Sequence, residues 1–430
     1  MSRTSFEVIK LKNGLPVLLL PAGRQSRTAS LFFIARSGSE RESKKIKGAA
    51  HFLEHMCFKG SKNYPGPLDI SVALDSLGAE YNAYTSRQNT VYYASSSPSA
   101  LPKIVSILAD MYGRPNLTSA DLERERGVIL EELRMYKDFP PDLAEELIWP
   151  LTYGQSISAG WSVVGEEETI QNMKIRDLRN FYHKNYSIAN SAVIIAGRFD
   201  SSKILAILEK ETTDFAKGKK LPSLSSLKRR PGLRLETINK KTDQNHFMSS
   251  FPGFSYSASQ LPQAVILSAI LGGGMSSRLF IKLREELGVA YYCFARHYAL
   301  ANRGLFMIGA GLRKDSFLNS LEAVFEEVTK IKERPISSQE LFKVKNSLKG
   351  RILLSLETPA GLASFFTSRL SAGLPLVSPE DYLNALESVT AEQIRVLAED
   401  IFSASNLSLS VVGEKLKLDK IEKLATKILG

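Results

Sequence analysis

Residues 48–61 read GAAHFLEHMCFKGS, and the HFLEH segment at 51–55 is the most specific pattern in the chain. Positions four apart on a helix lie on one face, so the imidazoles of His51 and His55 can reach one metal ion. Glu54 shares that face, where its carboxylate can bond a metal-bound water without ligating the metal. Only 5 His occur in 430 residues, and chance seldom gives this spacing. We therefore predict a metal site on a helix.

Zinc suits this site, because two neutral imidazoles and one carboxylate leave its fourth position open for water. Bound zinc lowers the pKa of that water towards neutrality and polarises a carbonyl group, while a nearby carboxylate takes the proton. The pattern therefore predicts a hydrolytic zinc site in which Glu54 is the general base and another element supplies the third ligand.

The third ligand is predicted on a helix at 118–138, TSADLERERGVILEELRMYKD, which contains four glutamates. At about 100° per residue and with Ile129 at the centre of the apolar face, Glu125 and Glu132 lie about 40° and 60° from that centre. Glu131 points about 160° away, towards solvent, and Glu123 lies about 120° away. A carboxylate at the edge of a buried face needs a cation, and Glu132 is our predicted ligand.

Glu125 lies two turns before Glu132, and two interpretations stay open for it. It is either a hydrogen-bond partner of a ligand imidazole or substrate group, or half of an ion pair with Arg124 or Arg126.

Composition limits the other classes of function. A hydrophobic content of 43% with 23% charged residues is typical of a globular protein, and no run of 18 apolar residues occurs, so no membrane partner is expected. The net charge of +11 invites a nucleic-acid interpretation, but the basic residues are spread along the chain, mostly beside acids. Nucleic acid is therefore not a predicted partner. The N-terminus lacks the features of an export signal, and the cytoplasm is the expected location.

The two cysteines, Cys57 and Cys293, are too few for a disulfide framework. Cys57 follows the His-containing helix, and we interpret it as a small buried apolar residue and not as a ligand.

The chain repeats itself at an offset of about 210 residues. LGAEYNAY at 77–84 parallels LGVAYYCF at 287–294, and NSAVIIAG at 190–197 parallels NLSLSVVG at 406–413. Two matches in the same order indicate a duplicated domain of roughly 200 residues. Strand and helix patterns mix within each half, which predicts an α+β fold of two homologous α/β sandwiches, each a mixed or antiparallel sheet covered by helices.

The predicted domains are 1–215, with the metal site, and 233–430, the homologous C-terminal domain. The Lys-, Ser- and Pro-rich segment 216–232 is the predicted linker between them.

The H-x-x-E-H order with a distal Glu resembles the inverted zinc-peptidase motif. The 77 residues from His55 to Glu132 are similar to the spacing in pitrilysin, insulin-degrading enzyme and the mitochondrial processing peptidase β subunit. The resemblance covers most of the chain, and the length is closest to the short bacterial processing-protease-like members. Further matching segments are LKNGLPVLLL (11–20), NAYTSRQNTVYYA (82–94), ERERGVILEE (123–132) and GGGMSSRLFIKLREELGVAYYC (272–293).

This resemblance implies His51, His55 and Glu132 as the ligands of one Zn²⁺ per chain, with Glu54 as the base. Glu125 matches a second acid of the distal motif.

The resemblance also implies substrate contacts. Asn82 and Ala83 match a strand whose edge pairs with the main chain of a bound peptide. Arg284 and Tyr291 match a pair that reaches the zinc site from the other half of the enzyme, where a guanidinium and a phenol suit an oxyanion and the substrate backbone. Residues 272–274, three consecutive glycines, are interpreted as close backbone packing, since no Gly-Lys-Ser/Thr follows them.

Departures from the family pattern point to a homodimer. Pitrilysin and insulin-degrading enzyme are about twice as long, and the inactive α subunit of the mitochondrial enzyme carries a long glycine-rich loop that this chain lacks. One chain with both the zinc motif and the Arg284/Tyr291 pair is expected to form one half of a clamshell, closed by a second copy. A heterodimer with an inactive homologue stays open. We expect an endopeptidase for peptides or unfolded segments; the alternative is a non-catalytic, partner-dependent structural subunit of the same family.

Overall fold

The computed structural model describes residues 4–23, 25–224 and 229–430, so part of the predicted 216–232 linker lies outside the described residues. The chain forms two compact units. The first comprises Met1–Leu133, Trp161–Ser223 and Ile352–Glu380, and the second Arg134–Gly160, Leu224–Arg351 and Asp381–Gly430.

The first unit is built on a six-stranded mixed sheet, in which β2 and β6 are parallel and the other neighbouring pairs antiparallel. The strand order is β1-β2-β6-β3-β5-β4, which leaves β4 at an edge. Strands β3 and β6 are buried on both faces, as expected of their nearly continuous apolar runs. The strands are β1 (Glu7–Lys10), β2 (Pro16–Pro21), β3 (Ala29–Ala35), β4 (Glu80–Thr85), β5 (Thr90–Ser96) and β6 (Ser191–Gly197).

Helices cover both faces of this sheet. One face packs on α1 and α3 through a large apolar cluster that includes Phe52 and Ile104. The other face packs on α13, where Phe366 is fully buried. The helices are α1 (Ala49–Cys57), α2 (Asp69–Asp75), α3 (Leu101–Gly113), α4 (Ser119–Asp138), which continues into the second unit, α6 (Glu167–Asn172), α7 (Ile175–Asn185), α8 (Ser201–Glu211) and α13 (Pro359–Ala372).

The second unit repeats this plan with a five-stranded sheet in the order β7-β11-β8-β10-β9, in which β7 and β11 are parallel. Helix α5 covers one face with Ile148 and Trp149, while Phe251 and Phe306 on the sheet pack against Phe402. The elements are β7 (Arg234–Asn239), β8 (Gln244–Gly253), β9 (Ala290–Ala299), β10 (Gly304–Arg313), β11 (Ser408–Gly413), α5 (Pro140–Tyr153), α9 (Leu261–Gly272), α10 (Arg278–Phe280), α11 (Phe317–Glu333), α12 (Ser338–Leu356), α14 (Pro379–Glu387), α15 (Ala391–Ile401) and α16 (Leu418–Leu429).

The predicted duplication and fold class are confirmed. Gly78 and Gly288 have the same φ of +61°, a left-handed conformation that glycine adopts without strain, and each turns the chain into the edge strand of its own sheet. The second matched pair of segments forms β6 and β11, which occupy equivalent positions in the two sheets.

The two units exchange a helical segment. Residues 134–160, with α5, pack in the second unit, and residues 352–380, with α13, pack in the first. The predicted domain limits of 1–215 and 233–430 stay a prediction, since a packing unit and a duplicated sequence need not share their limits.

The three consecutive glycines differ in their surroundings. A Cβ on Gly272 would lie 2.0 Å from the backbone nitrogen of Ala295, and one on Gly273 would lie 2.6 Å from Ala269 Cα. A Cβ on Gly274 would meet nothing within 4 Å. The interpretation as close packing therefore holds for the first two glycines and is wrong for the third.

We predict that Gly272→Ala lowers the free energy of unfolding by more than about 2 kcal/mol, because the new methyl group meets backbone that cannot move aside. Gly274→Ala is the matched control and is expected to stay within about 0.5 kcal/mol of the parent. Urea denaturation of the three proteins measures the difference, and equal stability of the two variants would refute the close approach.

Candidate metal centre

Helix α1 carries the predicted motif and is buried along nearly its whole length. Of its residues, all but His55 are buried. The helix begins after Gly48, whose φ is +89° and which has no side-chain group to cap the helix. Glu42 supplies the cap instead, because its carboxylate accepts hydrogen bonds from Gly48 N and Ala50 N, both at 2.8 Å.

The structure brings together the three predicted ligands. His51 Nε2 lies 3.6 Å from Glu132 Oε1, and His55 Nε2 lies 3.5 Å from Glu132 Oε2. One ligand atom from each of the three residues lies within 4.8 Å of the others. Helix α4 delivers Glu132 as its periodicity predicts: Ile129 and Leu133 are buried, and the neighbouring Glu131 is exposed.

These separations fit a zinc ion. Ligand bonds of about 2.0–2.1 Å in tetrahedral geometry hold neighbouring ligand atoms about 3.3–3.4 Å apart. Each imidazole nitrogen lies close to that distance from one oxygen of the Glu132 carboxylate, His51 at 3.6 Å from Oε1 and His55 at 3.5 Å from Oε2. The donor set of two imidazoles and one carboxylate also leaves one position free, as in catalytic zinc sites.

His51 is held in the form that binds a metal. Burial, assisted by the neighbouring ring of His55, lowers the pKa of His51 to about 3, so its imidazole is neutral at physiological pH. The two rings lie 4.7 Å apart, centre to centre, in an edge-to-face arrangement.

Glu125 orients the second imidazole. Its Oε2 lies 3.3 Å from His55 Nδ1, and its Oε1 lies 2.8 Å from Lys59 Nζ. A proton on Nδ1 leaves Nε2 with its lone pair towards Glu132, which is the tautomer that a metal needs. Burial alone would raise the pKa of Glu125, but the contacts with His55 and Lys59 outweigh it and lower the pKa. Of the two open interpretations, this geometry favours the imidazole partner.

The ion-pair alternative for Glu125 is not seen. Arg124 approaches Asp121 at 3.5 Å, and Arg126 pairs with Glu123 at 2.8 Å. The cation that contacts Glu125 is Lys59, which the sequence analysis did not single out. The sequence feature that could have indicated Lys59 is its position four residues after His55, on the same side of the chain's helical repeat.

Glu54 lies on the same helix, 9% exposed, and its Oε2 accepts a 2.5 Å hydrogen bond from Thr85 Oγ1 at the end of β4. Burial raises the pKa of Glu54 above the ordinary value for a glutamate, and the Thr85 hydroxyl partly offsets that effect. A raised pKa makes a carboxylate a stronger base than an ordinary glutamate.

The edge strand β4 places Asn82 and Ala83 opposite Tyr93 and Tyr92 of β5. Asn82 is exposed, and its Oδ1 accepts a 2.8 Å hydrogen bond from Ala83 N. The Ala83 amide is thus bonded to its neighbour's side chain, which can rotate away from it.

Arg284 and Tyr291 belong to the second unit. Both side chains are exposed, Tyr291 by 76%, and Arg284 Nη1 donates a 3.2 Å hydrogen bond to the Tyr291 carbonyl. Arg284 lies in a π-helical turn, Ile281–Glu286, a rare conformation that is frequent at functional sites.

Cys57 is fully buried, which confirms its interpretation as a small apolar residue. Burial raises the pKa of its thiol to about 12, so it carries no thiolate for a metal.

Together, the fold and these distances define a chain of two homologous α/β domains, the first of which carries an inverted zinc-peptidase motif. Two family models match it: insulinase (peptidase family M16) over residues 18–158, and the peptidase M16 inactive domain over residues 172–348. The chain belongs to peptidase family M16.

Its relatives fit this assignment. A Streptomyces coelicolor protein named an uncharacterized zinc protease is 32% identical over 90% of this chain and 85% of its own length. A Bacillus subtilis protein with the same description is 30% identical over 85% of this chain and 88% of its own. The crystal structure of a protease from Helicobacter pylori has the same fold, with a TM-score of 0.88 at 22% identity over 96% of this chain and 100% of that one. Among the described residues, no helix is long and apolar enough to cross a membrane.

We predict that the cap from Glu42 makes stability depend on pH. Burial raises the pKa of Glu42 from 4.5 to about 8, against the two amide hydrogen bonds. Between these values the folded chain binds a proton that the unfolded chain does not, so the free energy of unfolding falls as the pH rises. The slope reaches up to about 1.4 kcal/mol per pH unit.

Glu42→Gln is the control, since an amide does not titrate in this range. Urea denaturation from pH 5 to pH 8, at matched metal content, is expected to show a steeper decline for the parent. Parallel stability curves for the two proteins would contradict the assignment.

Proposed function

We propose that this chain is a zinc metalloendopeptidase that hydrolyses peptides or unfolded segments. The observation that carries the proposal is the convergence of His51, His55 and Glu132 within ligand distance of one another, with Glu54 on the same helix as the two imidazoles. Because His51, His55 and Glu132 already supply three ligands, Glu54 is not needed to hold the metal and is available for proton transfer.

When bound, zinc would polarise the scissile carbonyl and acidify a water molecule. The protein's own groups then divide the work. His51, His55 and Glu132 hold the ion, and Glu125 keeps the His55 ring in its orientation. Glu54 takes the proton from the water and passes it to the leaving amine, a task that its raised pKa suits.

Substrate would bind as an added strand on β4. An edge strand offers unpaired backbone groups, and pairing through them recognises an extended peptide with little regard to its side chains. Asn82 and Ala83 are our proposed pairing residues, with the Asn82 side chain giving way to the substrate carbonyl at the Ala83 amide. This mode suits internal segments of a chain and therefore an endopeptidase.

We further propose that the active form is a homodimer that encloses a chamber, in which Arg284 and Tyr291 of one copy complete the zinc site of the other. Support comes from the exposure of both side chains and from the π-helical turn that carries Arg284. A guanidinium and a phenol hydroxyl at such a site would stabilise an oxyanion and hold the substrate backbone.

We predict that Glu54→Gln keeps one zinc per chain and loses hydrolysis by at least about a hundredfold, because ligation and proton transfer use different residues. Glu132→Gln is expected to lose both zinc and activity. Metal analysis of dialysed protein and cleavage of a quenched fluorescent peptide measure the two effects.

Glu131→Gln is the matched control on α4, since Glu131 is exposed and adjacent to the ligand. It is expected to keep full zinc and near-parental activity. Hydrolysis that survives in Glu54→Gln would place the base elsewhere, and zinc retained by Glu132→Gln would remove that residue from the ligand set.

We predict that Arg284→Ala and Glu54→Gln proteins, each inactive, regain about a quarter of the parental activity when mixed and allowed to exchange subunits. Random pairing makes half of the dimers mixed, and each mixed dimer has one complete site.

The control is the double variant Glu54→Gln/Arg284→Ala mixed with Arg284→Ala, which cannot form a complete site. Subunit exchange is verified independently by native mass spectrometry of isotope-labelled chains. Full exchange without recovery would exclude the shared site.

A further inference from the structure

The Glu54 carboxylate is anchored by a residue outside the recognised motif. Thr85 Oγ1 donates to Glu54 Oε2 at 2.5 Å, and within the described part of the chain this is the carboxylate's only hydrogen bond. We infer that Thr85 is a positioning residue, which fixes the general base and ties it to the strand that binds substrate. This inference rests on the proposed function and extends it to a residue with no assigned role.

One hydrogen bond decides the orientation of Glu54 because the side chain has three rotatable bonds and few other polar contacts. With Oε2 held by the hydroxyl, Oε1 would remain available to accept a proton from the attacking water. A bond from a hydroxyl to an ionised carboxylate is also among the stronger hydrogen bonds in proteins.

Thr85 is itself held firmly. It is the last residue of β4 and pairs with Thr90 of β5, whose hydroxyl donates to the Ser37 carbonyl at 3.0 Å. The turn that follows is closed by Ser86 N bonding to the Asn89 carbonyl at 2.8 Å. A β-branched side chain in a strand has restricted rotation about its first bond, so the hydroxyl has a defined direction.

A neighbouring segment of backbone also hydrogen-bonds to the outer side of this turn. The backbone amides of Ser39 and Glu40 donate to the carbonyls of Ser86 and Arg87 at 3.2 and 2.9 Å. Gly38 permits this approach, because a Cβ there would lie 2.0 Å from the Ser86 carbonyl oxygen. The end of β4 is thus fixed from both sides.

Thr85 connects base and substrate through β4. Ala83 and Thr85 are two residues apart, so their backbone groups face the same edge at a distance of about 7 Å. A peptide that pairs with Ala83 therefore lies only two residues along the strand from Thr85, which holds Glu54. Strand pairing would set the position of the scissile bond relative to the base.

The competing interpretation is that Thr85 only packs in the hairpin. Thr85→Val separates the two, since valine keeps the branched shape and strand preference and removes the hydroxyl. Thr85→Ser restores the hydroxyl. The test uses full-length zinc-loaded protein with a fluorogenic peptide.

The expected result is a fall in kcat of about 10- to 100-fold for Thr85→Val, with KM within about twofold and one zinc retained. Thr85→Ser is expected within about threefold of the parent. In a Glu54→Gln background, Thr85→Val should cause no further loss, because the group that it positions is gone. If Thr85→Val does not fold with full zinc, Thr85→Ala takes its place.

A second readout does not require activity. In protein labelled with ¹³C at glutamate carboxyl carbons, the Glu54 resonance is the one that disappears in Glu54→Gln. It is expected to shift in Thr85→Val and to return towards its parental position in Thr85→Ser.

An unchanged resonance in Thr85→Val overturns the inference, as does an unchanged kcat or a defect confined to KM. If the zinc-loaded parent fails to hydrolyse peptides, the proposed function fails. In that event the resonance still decides whether Thr85 holds Glu54.

Discussion

The candidate metal centre depends on an excess of negative charge that is partly shielded from water. Three carboxylates, on Glu54, Glu125 and Glu132, lie around two imidazoles, and Lys59 pairs with one of them, Glu125. With a metal bound through neutral imidazoles and with all three acids ionised, these side chains and Lys59 would together carry a charge of −2. Burial of uncompensated charge is unfavourable, and a divalent cation compensates this one. The electrostatics of the cluster thus favour a divalent cation, in agreement with the arrangement of the three candidate ligands.

Local periodicity carried most of what the sequence could predict. The i, i+4 spacing on α1 and the angular position of Glu132 on α4 depend only on helix geometry, and the structure brings these groups together. The duplication was visible because two pairs of similar segments recur at nearly equal offsets, and they form equivalent strands, β6 with β11 and β4 with β9. Each of these signals lies within one element or recurs in the chain.

Contacts between elements could not be predicted in the same way. Glu42 lies between two short 3₁₀ turns, Ser39–Arg41 and Lys44–Ile46, where no periodicity marks its role as the cap of α1. Thr85 looks like an ordinary strand residue until β4 is placed beside α1. The exchange of residues 134–160 and 352–380 between the units was also invisible, since the apolar face of a helix does not specify which sheet it covers.

The two copies of the domain share one topology but carry different functional side chains. In the first unit, helix α1 carries two imidazoles and Glu54, which we propose as the general base. In the second, the equivalent helix α9 reads LPQAVILSAILG and has no ligand side chain. Gly272 at its end instead lets the helix approach the backbone of β9. The second copy presents Arg284 and Tyr291 at its surface, so the duplication places the candidate metal ligands in one copy and the groups that we propose assist them in the other.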